Sequence, residues 1–118
     1  MKKSLPLVFL FLSIFVLACE EYEFVPNLYF EVQINSDLKS KSGSASITLH
    51  KFNLSDANSV SITELKIGDE VIENFSVAKS KTNLVVSFTL PENADEYNTL
   101  RIAANSPSRN PAGVTKQY

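Results

Sequence analysis

Tryptophan is missing from the 118 residues, cysteine and histidine occur once each, and glycine occurs three times. Each scarcity removes a class of function. A single Cys has no partner for a disulfide, and one Cys with one His cannot supply the four ligands of a structural zinc site. Gly43, Gly68 and Gly113 stand alone, so no glycine-rich loop lets the backbone approach a phosphate. Without Trp, a sugar-stacking surface would have to come from scattered tyrosines. Basic residues are not in excess either. The 11 Lys and Arg are outnumbered by 13 Asp and Glu, for a net charge of −2, which offers nucleic acid no basic patch.

Catalytic groups are equally thin. His50 is the only imidazole, and a triad drawn from His50, Asp56 and one of the serines lacks the Gly-x-Ser-x-Gly elbow that would place a nucleophile beside the base. His50 reads as a solvated residue on the outer face of a strand, and the chain as a non-enzyme without cofactor. Carboxylates at Glu92, Asp95 and Glu96 share a loop and Asp69-Glu70 another, but neither follows the alternating Asp/Asn pattern with a central Gly that holds calcium. They read as charges that keep turns solvated, and no metal is expected. Asn53-Leu54-Ser55 and Asn74-Phe75-Ser76 match the N-glycosylation pattern and read as incidental.

What the sequence does have is concentrated at its start. Met1-Lys2-Lys3 is followed by an apolar run over 5–18 broken only by Pro6 and Ser13. That is a charged n-region, an h-region and a small residue, Ala18, at a cleavage position. The run is too short for the roughly 20 apolar residues that span a bilayer. Val16-Leu17-Ala18-Cys19 resembles the lipobox of bacterial lipoprotein precursors. The resemblance implies cleavage between Ala18 and Cys19, thioether lipidation of Cys19 and acylation of the new amine, which anchors the protein to a membrane through two or three acyl chains. It also accounts for the lone Cys. Glu20, Glu21 and Glu23 follow the anchor. In lipoproteins of the Bacteroidetes type, acidic residues at this place resemble an export signal to the outer face of the outer membrane, so surface display is expected, with a periplasm-facing location as the alternative. The same glutamates also read as a solvated acidic tether.

After the leader, period-two patterning takes over. Leu28, Phe30, Val32 and Ile34 alternate with polar neighbours, which puts apolar side chains on one face of a strand. Residues 35–44, "NSDLKSKSGS", read as a polar loop in which Lys39 and Lys41 have nothing apolar to pack on. Ala45, Ile47 and Leu49 share one face of the next strand. Residues 53–59 read as turn chemistry. Val60 and Ile62 are in phase, and the pattern then slips to Leu65 and Ile67, which predicts a β-bulge near Thr63-Glu64. Gly68-Asp69 suits a type II′ hairpin leading into a partner strand over 71–78. Leu84, Val86, Phe88 and Leu90 alternate cleanly until Pro91 closes the strand. Leu100, Ile102 and Ala104 follow in the same manner. "NSPSRNPAG", 105–113, reads as loop, and 114–118 as a short last strand.

The domain layout is a lipoprotein signal peptide over 1–18, a lipidated Cys and acidic tether over 19–27, and a β-domain over 28–118. Six or seven short strands without an amphipathic helix predict an all-β, antiparallel β-sandwich, similar to immunoglobulin-like domains in size and strand spacing. The closing stretch over 97–118, "YNTLRIAANSPSRNPAGVTKQY", resembles the end of the BACON-type β-sandwich of Bacteroidetes, in its strand ending at Asn, its loop Arg and its final Val-Thr-x-Gln. The expected role is a binding, adhesion or spacer module, with a glycan or a protein as partner besides the membrane. Tyr29, on the polar face of the first strand, and Tyr97 are the candidate ligand-binding residues. The alternative is an accessory subunit of a nutrient-uptake or pilus-like assembly. Its partner would pair with a sheet edge left uncovered by the short last strand.

Overall fold

Alternating apolar residues become buried stripes in two four-stranded antiparallel sheets. A computed structural model describes residues 24–40 and 43–118. Its strands are β1 (Glu31–Ile34), β2 (Ser44–His50), β3 (Ser61–Ile67), β4 (Glu70–Val71), β5 (Phe75–Lys79), β6 (Leu84–Thr89), β7 (Thr99–Ser106) and β8 (Arg109–Gln117). One sheet has the order β1-β2-β6-β5 and the other β4-β3-β7-β8. The protein is an all-β antiparallel sandwich, and its strand order is that of immunoglobulin-like domains with β4 added beside β3. No Cys–Trp–Cys centre holds it together.

Aliphatic packing does that work. Ile47, Leu49, Leu84 and Val86 from the first sheet and Ile67, Leu100 and Ile102 from the second have no exposed surface. Full burial of each such side chain is worth about 1.5–3 kcal/mol. Phe30 and Phe52 add a tilted ring pair with centroids 5.8 Å apart, a geometry that aromatic quadrupoles favour.

The bulge falls where the phase slip predicts it, with the β3–β7 register shifting between Ile62 and Glu64. Ile67 pairs with Glu70 across Gly68-Asp69. Gly68 has φ +54° while Asp69 stays outside the positive-φ set, the pattern of a type II′ turn.

Four expectations need correction. First, the run over 28–34 is only partly strand. Leu28 donates its N–H to Asn110 O at 2.8 Å and Asn27 bridges Asn110 in parallel, so the chain touches β8 before crossing to pair with β2 at Glu31. Second, the expected strand over 71–78 divides. Ile72 still donates to Leu65 O at 2.8 Å, after which the chain leaves that sheet and β5 joins β6 in the other. Third, the loop expected over 105–113 is a hairpin, and β8 runs nine residues, Arg109–Gln117. It is an edge strand, and Pro111 sits where the register shifts between Ala104 and Ser106, a place where proline is tolerated. The strand that pairs with β7 is therefore long, and β7 is covered along its whole length. Fourth, the loop over 35–44 is not wholly polar. Leu38 is 1% exposed and belongs to the core. Lys39 Nζ lies 5.4 Å from the centre of the Tyr118 ring.

Candidate functional site

The registers define two ends of the sandwich. The near end gathers the start of β1, the connection over 51–60, the β5–β6 turn and the β7–β8 turn. The far end gathers the β1–β2 loop, the Gly68-Asp69 turn, the connection over 90–98 and Tyr118.

At the near end, Asn53 fastens the incoming chain. Its side-chain Nδ2 donates to Asn27 O at 2.9 Å, and its Oδ1 accepts from the Tyr29 N–H at 2.9 Å. Arg109 Nη2 donates to Asn53 O at 2.7 Å. Asn110 Nδ2 donates to Val25 O at 2.9 Å. These bonds fix the place where the N-terminal segment enters the domain. The sequence offers Asn53 only as a turn former, and its bridging role depends on Asn27 and Arg109, which lie far from it along the chain.

Beside this junction lies a cleft of about 280 Å³ whose walls include His50, Lys51, Phe52, Leu54, Lys81 and Asn83. Lys51 has φ +57°, a left-handed conformation that costs a residue with a Cβ about 1–2 kcal/mol. It turns the chain out of β2, and its ammonium pairs with Glu31 Oε1 at 3.6 Å. Both partners are well exposed, so the pair adds at most about 1 kcal/mol. Asp56 Oδ1 accepts from the Asn58 backbone N–H and from Asn58 Nδ2, each at 2.9 Å. The backbone N–H first, then the side-chain amide, hold the Asp56 carboxyl below the usual carboxylate range. No hydrogen bond joins Asp56 to His50, so the two are not arranged as an orienting carboxylate and a general base.

The two candidate tyrosines are not brought together. Tyr29 stands at the near end, exposed, its hydroxyl donating to Glu31 Oε2 at 3.1 Å. That bond and the Glu31 charge raise its pKa above the ordinary tyrosine value. Tyr97 is half-buried at the far end, its ring packed on Gly68, and its hydroxyl accepts from Asn93 Nδ2 at 3.4 Å. Lys39 closes the same end, donating from Nζ to Tyr97 O and Asn98 Oδ1 at 2.7 Å each. Tyr118 OH donates to Ala94 O at 2.8 Å, and burial, with the charge of Asp95, raises its pKa.

Charge is unevenly divided between the ends. Lys51, Lys79, Lys81 and Arg109 cluster at the near end, against Glu31 and Asp56. Asp37, Asp69, Glu70, Glu73, Glu92, Asp95 and Glu96 stand at the far end, against Lys39, Lys66 and Lys116, while Arg101 pairs with Glu64 between the ends. Among the described residues no group of three His, Cys, Asp or Glu side chains could hold a metal ion, and no helix is long and apolar enough to cross a membrane.

No family model and no curated protein matches the chain. Geometry and residue chemistry therefore carry the functional reading. Ala18, Cys19, Glu20, Glu21 and Glu23 lie outside the described residues, as does Lys41.

Proposed function

We propose that the protein is a lipid-anchored lipoprotein of the bacterial cell envelope, held at the outer membrane through Cys19, whose sandwich is a non-enzymatic binding, adhesion or spacer module. The observation that carries the reading is the polarity of the domain. The chain enters at the end bearing Lys51, Lys79, Lys81 and Arg109, and the carboxylates gather at the opposite end. Asn27 lies eight residue steps after Cys19, a reach of at most about 28 Å. A domain on so short a tether turns its basic end toward anionic headgroups, each cation near the surface contributing about 1 kcal/mol. The acidic end then faces away from the membrane, toward solvent and partners. The expected export signal, Glu20, Glu21 and Glu23, favours the outer face.

Metabolic palmitate labelling of the wild type and of Cys19→Ala, with protease shaving of intact cells, tests this. Labelled wild type, unlabelled variant and cleavage by external protease are the expected results. An unlabelled wild type with its leader retained would refute the anchor, and labelled protein protected from protease would move it to the periplasmic face.

A second reading, an accessory subunit that joins an assembly through a sheet edge, is favoured by β5. This strand is the outermost of its sheet. The edge in question is therefore not the one beside β7 that the sequence suggested.

A further inference from the structure

Four strands end the two sheets, and three of them are guarded. β1 and β8 lie beside each other, with Lys116 Nζ donating to Val32 O at 2.7 Å and Asn27 bridging Asn110. β4 is two residues long. β5 is different. It is five residues long, carries no proline, and has β6 on one side only.

The hydrogen-bonding phase of β5 follows from its turn. Ser80 N–H donates to Asn83 O at 2.9 Å across Lys81-Thr82, so Ser80 and Asn83 form a hydrogen-bonded pair. Bonded and non-bonded pairs alternate in an antiparallel ladder. With Ala78 opposite Val85 and Ser76 opposite Ser87, these two residues bond to β6. Phe75, Val77 and Lys79 consequently aim their N–H and C=O groups at the free edge, where no described residue pairs with them.

From this phase and the sequence of the edge we infer that β5 is a self-complementary docking strand whose occupant is β5 of a second copy of the chain. Residues 73–79 read Glu-Asn-Phe-Ser-Val-Ala-Lys. An antiparallel pairing about a two-fold axis at Ser76 places Glu73 opposite Lys79 of the second copy, and Phe75 opposite its Val77. Each of these pairs occurs twice. Asn74 meets Ala78 and Ser76 meets Ser76, all small enough to lie in register. The outward backbone groups at Phe75 and Val77 pair with one another in this register, as the phase requires. Opposite charges and aromatic–β-branched neighbours are the cross-strand pairs that stabilise sheets. Glu73 and Lys79 are exposed, and Lys79, whose present contact is a 3.4 Å bond to Asn58 O, has further protons to donate. Such pairing joins two sheets into a continuous eight-stranded one. The inference stands on the edge alone and holds whether or not Cys19 carries lipid.

Analytical ultracentrifugation of the detergent-solubilised full chain, with charge variants, tests it. The wild type is expected to show a concentration-dependent dimer. Glu73→Lys or Lys79→Glu alone sets like charges opposite each other twice and weakens association roughly tenfold or more. The double exchange Glu73→Lys with Lys79→Glu restores it. Oxidative cross-linking fixes the register, because Ser76 faces its own copy in a non-bonded pair whose Cα atoms lie about 4.5 Å apart, within disulfide reach. Ser76→Cys should cross-link above the background of the unsubstituted chain, and Ala78→Cys should not. A wild type that stays monomeric at every concentration, a double exchange that fails to restore the dimer, or equal cross-linking at both positions would overturn the inference.

Discussion

Replacing Gly68 by Ala combines two costs that the structure separates. At φ +54° a Cβ brings the strain of the left-handed region, about 1–2 kcal/mol. The same Cβ would overlap the Tyr97 ring, which lies against Gly68. The half-buried ring must then swing away and forfeit part of its packing, a further cost of about 1–2 kcal/mol when set against the 3–5 kcal/mol of removing a fully buried aromatic side chain. Reduced entropy of the unfolded chain returns about 0.4–1 kcal/mol. The net loss is about 2–3 kcal/mol, or a Tm drop of roughly 10–20 °C for a domain of this size. In a Tyr97→Gly background the whole side chain, Cβ included, is gone and the overlap disappears, so Gly68→Ala should cost only about 1 kcal/mol. Urea unfolding followed by far-UV circular dichroism, run as a double-mutant cycle, measures the difference as a coupling of about 1–2 kcal/mol. Equal costs in the two backgrounds would refute the overlap, and a neutral Gly68→Ala would refute the turn as well.

Leu38→Ala should cost about 2–5 kcal/mol because its side chain is 1% exposed, and thermal denaturation should fall by at least about 8 °C. A cost below about 0.5 kcal/mol would mean that this leucine behaves like a solvated loop residue. The Asp56 carboxyl should titrate below its ordinary value by NMR, held there by Asn58. Because its folded pKa is the lower one, its contribution to stability is present above about pH 4 and disappears as pH falls through the lowered value. An ordinary titration midpoint at Asp56 would break that link.

Where a strand has one buried and one solvated face, the alternation in the chain reveals it. Ala45, Ile47 and Leu49, then Leu84, Val86 and Phe88, then Leu100, Ile102 and Ala104 are all legible in this way, and all are buried. The bulge at Ile62/Glu64 is legible for the same reason, since an extra residue displaces the apolar phase. β8 is not, because its residues are mostly exposed or half-exposed and an edge strand needs no apolar stripe. Two prolines nearby make the stretch read as loop. Leu38 escapes notice because a single apolar residue among polar ones has no period. The near-end junction through Asn53, Asn27 and Arg109 is beyond any local reading, for its members meet only once the sheets are stacked.

The sequence by itself determined the fold class, the inward faces of the main strands and the turn at Gly68-Asp69, because side-chain alternation and backbone preference are local properties. Tertiary structure alone decided that the run over 71–78 divides between two sheets, that β8 covers β7, and that most carboxylates collect at the end opposite the N-terminal junction. It also left β5 outermost. Those outcomes depend on which strand each one packs beside, and neighbours in a sandwich are chosen across the whole chain at once.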